Sequence, residues 1–261
     1  MLLDLNDKTI VVTGCSSGIG AATAQNLLRC GASVIGVDRN ESDNVDTFYQ
    51  CDLSDPLAID ELVARLPGEI DGLANIAGVP PTMSAEVVLK VNLLGLQRLT
   101  LGLIGKMADN ASIVNLGSLA AFRWMKSVDV IKASYDLTFD NVQAFISEHG
   151  IDQQTGRSYF FSKEALVAWT FKNRWTWRDR GIRMNAVSPG AVDTPILADF
   201  LSSLGARADE DRKTMDRPAT PEDIAPVVAF LMTDNAAWFQ GANLTLDGGM
   251  SSHMLAGMFN L

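Results

Sequence analysis

The run TIVVTGCSSGIG at residues 9–20 restricts the fold more than any other stretch of the chain. Its first four residues are β-branched or apolar on both faces, as in a strand buried inside a parallel sheet. Gly14, Gly18 and Gly20 then form a turn whose backbone can approach a bulky anion. Residues 21–28 read as a helix, and its N-terminus offers free N–H groups and the positive end of a dipole to a diphosphate. The G-x-x-x-G-x-G spacing alone is a weak signal, since an ordinary tight turn produces it too. Context strengthens it, because a second apolar strand at residues 33–37 ends in Asp38, 18 residues beyond Gly20. A dinucleotide fold places its ribose-binding carboxylate at about this distance.

Composition narrows the alternatives. With 261 residues and 47% hydrophobic content, the chain predicts one domain with a large core and no disorder. A formal charge of −10 without an offsetting basic run argues against nucleic acid as partner. No apolar run reaches the roughly 18 residues of a membrane span, and no secretory signal pattern opens the chain. A cytoplasmic protein with no membrane partner is expected. Cys15, Cys30 and Cys51 lack C-x-x-C spacing, and His149 and His253 stand far apart, so neither a disulfide framework nor a metal site is predicted.

Further strands are predicted at residues 48–52, 70–76, 112–116, 182–187 and 243–246. Helices are predicted at 56–66, begun by Asp55 and Pro56, and at 87–105, 159–180 and 221–232. Strands alternating with helices predict an α/β fold, a Rossmann-type doubly wound parallel sheet of about seven strands. Ligands of such sheets bind at the carboxyl ends of the strands.

Tyr159 and Lys163 form an i,i+4 pair, so a helix puts the phenol and the ammonium on one face. A free tyrosine titrates near about pH 10, some three units too high for a base in the cell, and a neighbouring cation lowers that value. By itself Y-x-x-x-K is a frequent chance match, and a surface pair on an amphipathic helix is the plainer explanation.

Taken with the glycine turn, Asp52-Leu53, Asn75 with Ala77-Gly78, Asn92, Ser118, Pro189-Gly190 and residues 247–249, the pair makes the chain resemble the short-chain dehydrogenase/reductase family over essentially its full length. Two positions depart from the usual pattern: Ile76 stands where a second asparagine is common, and Val192 where isoleucine is. The resemblance implies Tyr159 as general acid/base, Ser118 on the substrate oxygen, Lys163 on the tyrosine and the nicotinamide ribose, and Asn92 fixing a water that passes protons to the lysine. It implies cofactor contacts at Gly14, Ser17, Gly18, Ile19, Gly20, Asp38, Asp52, Leu53, Asn75, Ala77, Gly78, Pro189, Gly190, Val192 and Thr194, besides Tyr159 and Lys163. Asp38 favours NAD by repelling the extra phosphate of NADP, although the adjacent Arg39 could pair with that phosphate. Cys15, at a helix N-terminus, is either an activated thiol or, more simply, a small loop filler.

The substrate loop at residues 194–216 is rich in large apolar side chains, so a small hydrophobic alcohol or ketone is expected. Within the family the chain is most similar to bacterial coniferyl-alcohol dehydrogenases and next to 3α-hydroxysteroid dehydrogenase/carbonyl reductases, which points to an aromatic or steroid-like substrate. A non-catalytic NAD-binding regulator on the same fold is the alternative. Ser118 and Tyr159 are 41 residues apart, more than is usual in the family. Residues 119–158 are therefore an insertion with ample apolar surface, including a helix expected from Phe139 to His149, capped by Thr138 and ended by Gly150. It serves either as a lid or as a surface that alters assembly. Altered assembly, with a homodimer or other small homo-oligomer, is the expectation.

Overall fold

The computed structural model describes residues 3–199 and 214–261. Strands β1 (Thr9–Thr13), β2 (Ser33–Asp38), β3 (Thr47–Gln50), β4 (Ile70–Asn75), β5 (Met107–Leu116), β6 (Arg183–Pro189) and β7 (Asn243–Leu246) form one sheet. Its order is β3-β2-β1-β4-β5-β6-β7, and every pairing is parallel. The central strands are buried on both faces, which is why they read as apolar runs without alternation. The chain reverses its direction of winding between β1 and β4, and this leaves a crevice at their carboxyl ends.

Helices α1 (Gly18–Arg29) and α8 (Pro221–Met232) cover one face. The other face carries α2 (Pro56–Arg65), α3 (Ala85–Leu89), α4 (Leu96–Leu103) and α7 (Arg157–Lys172), over a core that includes Leu73, Leu99, Ile113, Phe161 and Leu166. Local chemistry sets the helix starts. Asp55 accepts from the Leu57 amide at 2.9 Å with Pro56 at the first position, and Thr220 and Asp223 make a reciprocal capping box.

The long helix expected at residues 87–105 is interrupted: a π-helical turn at Lys90–Gly95 separates α3 from α4. Asn92 lies inside that turn. By length and composition the stretch Ala85–Lys106 could cross a membrane, yet 61% of its apolar window is buried in the fold, so its hydropathy reports a core helix. The helix expected over 159–180 ends at Lys172 and is followed by turns around Trp175 and a short 3-10 turn at Arg178–Arg180. Strand boundaries move by at most five residues, most at β5, which begins at Met107, and not at all at β7.

The insertion consists of a 3-10 segment at Leu119–Ser127, α5 (Val128–Ala133) and α6 (Val142–His149). Thr138 does not cap α6. Asn141 occupies that position, and its amide oxygen accepts from the Thr138 N–H at 2.7 Å, so residues 138–141 form a closed turn before the helix. Gly150 ends α6 in the left-handed region as expected. A last helix, α9 (Met250–Phe259), follows β7.

Candidate active site

A cleft of about 580 Å³ opens at the carboxyl ends of β1, β2, β4, β5 and β6. One wall is the glycine turn. Gly14 has φ +73°, and a Cβ there would lie 2.9 Å from the Ala77 Cα. At Gly20 a Cβ would run into the Gly14 carbonyl oxygen, so α1 can sit this close to the strand only without a side chain. Ser17 begins α1 without bonding its first turn through the side chain, which leaves the leading N–H groups free for an anion. Ser17, Gly18 and Ile19 all line the cleft.

Asp38 ends β2 at the rim. Its Oδ2 accepts from the Ser16 amide at 3.1 Å and the Ser16 hydroxyl at 2.8 Å, while Oδ1 accepts from the Asn40 amide at 3.0 Å. The carboxylate is thus fixed in direction by the glycine turn. Asp52 and Leu53 continue this wall, and Asp52 is oriented by the amide and hydroxyl of Ser54, each at 2.8 Å. Glycines that keep the turn open, together with a carboxylate held at the ribose distance, fit a dinucleotide.

Cys15 faces away from this wall. It is buried, and burial followed by the Asp38 charge pushes its thiol up to about 11, so the loop-filler explanation holds.

At the far end stand Ser118, Tyr159 and Lys163. Ser118 follows β5, and its hydroxyl accepts from the Ala120 amide at 3.1 Å, which leaves its own proton to donate. The Ser118 side chain is hydrogen-bonded to the Tyr159 phenol. Burial raises the Tyr159 pKa, and the Ser118 hydrogen bond pulls it back down. Lys163 is 3% exposed and donates to the Leu116 carbonyl at 2.7 Å, with its ammonium 5.8 Å from the Tyr159 ring centroid. Desolvation lowers Lys163 to about 8. Burial is the larger influence on the phenol, and Ser118 is the neighbour that favours the phenolate.

Asn92 is fully buried, with its oxygen accepting from the Val79 amide at 2.8 Å and its nitrogen donating to the Val79 carbonyl at 3.1 Å. It shapes the cleft from behind: a Cβ on Gly78 would lie 3.3 Å from Asn92 Oδ1 and 3.8 Å from Lys163 Nζ. Ala77, Gly78, Pro189, Gly190, Val192 and Thr194 line the cleft as the sequence suggests. Asn75 does not. Its side chain points into the core, donating to Thr100 Oγ1 and Asn115 Oδ1, each at 2.9 Å. A residue at the inner edge of β4 meets protein on every side, and this overturns its assignment as a wall of the groove.

Several contributors were not picked out from the sequence. Thr13 Oγ1 accepts from the amides of Ile76 and Ala77, both at 3.0 Å, and so pins the loop after β4 to β1. Phe160, Met215 and Met250 line the cleft with Leu119, Ile196 and Leu197. The substrate loop is held at its base by a bridge between Val192 and Ala219. Of the loop expected at residues 194–216, positions 200–213 lie outside the described residues.

Among the described residues of the insertion, Leu119 and Ala120 alone line the cleft. The rest packs on α7 and α3. Trp124 meets Phe171 edge-on at 5.5 Å, the Lys172 ammonium lies 3.5 Å over the Tyr135 ring, and Arg157 joins Glu164 at 2.8 Å and the Ser127 hydroxyl at 3.1 Å. Gln143 on α6 reaches Glu86 on α3.

Residues 8–134 match the family model described as short chain dehydrogenase, and residues 141–251 match that of enoyl-(acyl carrier protein) reductase. The chain is 41% identical to a coniferyl-alcohol dehydrogenase of Pseudomonas sp. (strain HR199 / DSM 7063), over 96% of this chain and 99% of that one. It is similar to the crystal structure of a 3-alpha-hydroxysteroid dehydrogenase from Pseudomonas sp. B-0831 complexed with NADH, with a TM-score of 0.82 and 33% identity over 95% and 99% of the two chains. A short-chain dehydrogenase from Burkholderia cenocepacia J2315 in complex with NADP aligns with a TM-score of 0.72 and 26% identity over 94% and 98%. The chain belongs to the short-chain dehydrogenase/reductase family of oxidoreductases, which bind a nicotinamide cofactor.

Proposed function

We propose that the protein is an NAD-dependent dehydrogenase that interconverts a hydroxyl and a carbonyl on a hydrophobic, aromatic or steroid-like substrate. The carrying observation is the Tyr159 phenol, bonded by Ser118 and backed by the buried Lys163, at the head of a cleft lined by apolar side chains. Bound nicotinamide supplies the hydride-transfer chemistry. As phenolate, Tyr159 takes the proton of the substrate hydroxyl; in the reverse direction it returns that proton to the carbonyl oxygen. Ser118 donates to the same oxygen and stabilises the charge that develops there. Lys163 supplies a positive charge behind the phenol and an ammonium toward the ribose. Asn92 sets the wall beside it, next to the path by which the lysine exchanges protons.

The choice of NAD rests on Asp38, a carboxylate fixed by Ser16 at the end of β2, where it would accept ribose hydroxyls and repel a phosphate. The substrate class draws on the apolar residues Leu119, Phe160, Ile196, Leu197 and Met215, and on the alcohol and hydroxysteroid named for the relatives. The three free thiols fit a reducing, cytoplasmic setting. As an assembly we propose a homodimer or other small homo-oligomer that does not use the outer face of α7, which the insertion covers.

The test is a screen of aromatic, steroidal and terpenoid alcohols with NAD, read at the nicotinamide absorbance band, repeated with Tyr159→Phe. The variant is expected to bind NADH and to lose several orders of magnitude in rate. Unchanged turnover in the variant overturns the mechanism.

A further inference from the structure

The polar residues buried beneath the site form one continuous chain. Thr100 on α4, Asn75 at the end of β4, Asn115 in β5 and Thr170 on α7 are each fully buried. Asn75 Nδ2 donates to Thr100 Oγ1 and to Asn115 Oδ1, and Asn115 Nδ2 donates to Thr170 Oγ1, all at 2.9 Å. The threonine hydroxyls are free to accept because their own protons go back one turn, to the Leu96 carbonyl at 2.7 Å and the Leu166 carbonyl at 3.0 Å. In a largely apolar core, these four groups make their three mutual bonds, with Asn75 Oδ1 left without a partner, only if two strands and two helices keep one relative position.

Those elements are the ones that carry the site. Thr170 lies two helical turns beyond Lys163 and three beyond Tyr159, on the same side of α7. Thr100 stands on the helix continued from the π turn that contains Asn92, and both residues grip one segment, Thr100 at Asn75 and Asn92 at Val79. Asn115 immediately precedes Leu116, whose carbonyl holds Lys163, and stands three residues before Ser118.

We propose that the chain Thr100–Asn75–Asn115–Thr170 is a positioning device that sets α7 against β5, and thereby holds the Tyr159 phenol against Ser118 and the Lys163 ammonium against Leu116. The four residues touch no substrate or cofactor; they act through the residues that do. The proposal rests on the reading of Tyr159 as the acid/base. Removing one hydroxyl leaves an amide N–H buried without a partner, and the helix or strand moves to relieve it. Tyr159 then loses the Ser118 bond that lowers its pKa, so its titration shifts upward.

Thr170→Val keeps shape and removes the hydroxyl, Thr170→Ser keeps the hydroxyl, and Thr100→Val interrupts the other end should the first variant fail to fold. Each is made with and without Tyr159→Phe, so that the difference in phenolate absorbance during an alkaline titration isolates Tyr159 from Tyr49 and Tyr135. This readout requires no turnover. The expected result for either valine variant is an upward-shifted Tyr159 titration, and for alcohol oxidation a kcat lowered by about tenfold to a hundredfold, with the cofactor KM changed much less. Thr170→Ser restores both. Valine variants that melt earlier while the Tyr159 titration and kcat stay at parent values overturn the proposal. Should the parent turn over no alcohol while the titration still shifts, the functional reading fails and the positioning device stands.

Discussion

The Lys163 ammonium donates to the Leu116 carbonyl at 2.7 Å while only 3% of the residue is exposed. One backbone oxygen and a dry surrounding do not replace the water lost by a cation, and the lysine falls from 10.5 to about 8.

This has a consequence for stability. Because the folded-state pKa is depressed for a base, the unfolded chain binds the proton more tightly. The protonated lysine therefore destabilises the fold fully below about pH 8, and the penalty disappears as pH rises from about 8 toward 10.5. Lys163→Met is expected to melt above the parent at pH 7, with the gap narrowing across that window. A melting difference that is constant with pH from 7 to 10.5 contradicts the assignment.

Ser118 is the neighbour that favours the Tyr159 phenolate. Alcohol oxidation needs the phenolate, so its rate is expected to rise with pH toward a plateau. Ser118→Ala removes both the donor to the substrate oxygen and the bond to the phenol. The rate should fall by about two to three orders of magnitude, and the rising limb should move to higher pH. A pH profile that keeps its position after the substitution separates Ser118 from the tyrosine.

Asp38 allows a quantitative expectation for the cofactor. Two like charges about 4 Å apart at an effective dielectric near 20 repel by about 4 kcal/mol, so NAD should be preferred over NADP by about two orders of magnitude or more. Asp38→Ala removes the repulsion and frees Ser16, whose amide and hydroxyl can then donate to a phosphate. The ratio of kcat/KM values for the two cofactors should contract by at least about tenfold. A parent enzyme that prefers NADP refutes the choice.

The glycine turn, the parallel sheet and the Tyr159–Lys163 pair were legible because each is written in contiguous residues with a fixed period. Asn75 was misplaced because a motif gives the position of a backbone and says nothing of where a side chain points at the end of a strand. Asn115 carried a usable signal: a polar residue inside the apolar strand 112–116 must find a buried partner, but its partners lie on a strand 40 residues before it and a helix 55 residues after it. Thr138 is a residue type that caps helices, which makes it the natural N-cap for a helix beginning at Phe139. The helix starts three residues later, with Asn141 at the N-cap position, and the Thr138 and Asn141 side chains bond each other's amides in the turn before it. The π turn at Lys90–Gly95 interrupts no visible pattern, since Val88, Leu89, Leu93, Leu96 and Leu99 remain buried through it.

The insertion yields the last prediction. Ile131, Val142, Phe145 and Ile146 join the main core with Phe161 and Trp169, so the segment is part of the domain's packing and not an appendage. Phe145 lies 5.7 Å from Phe161, and Trp124 closes over Phe171. Trp124 is only half-buried, so Trp124→Ala is expected to cost about 2 kcal/mol, below the range for a fully buried tryptophan, with kcat unchanged. Replacing residues 121–156 by a short loop is expected to do more, because it uncovers a contiguous apolar face along α7. Light scattering should then show larger assemblies than the intact protein forms. If the folded variant keeps the parent's oligomeric state while its affinity for the alcohol collapses, the segment acts as a lid and the assembly role is wrong.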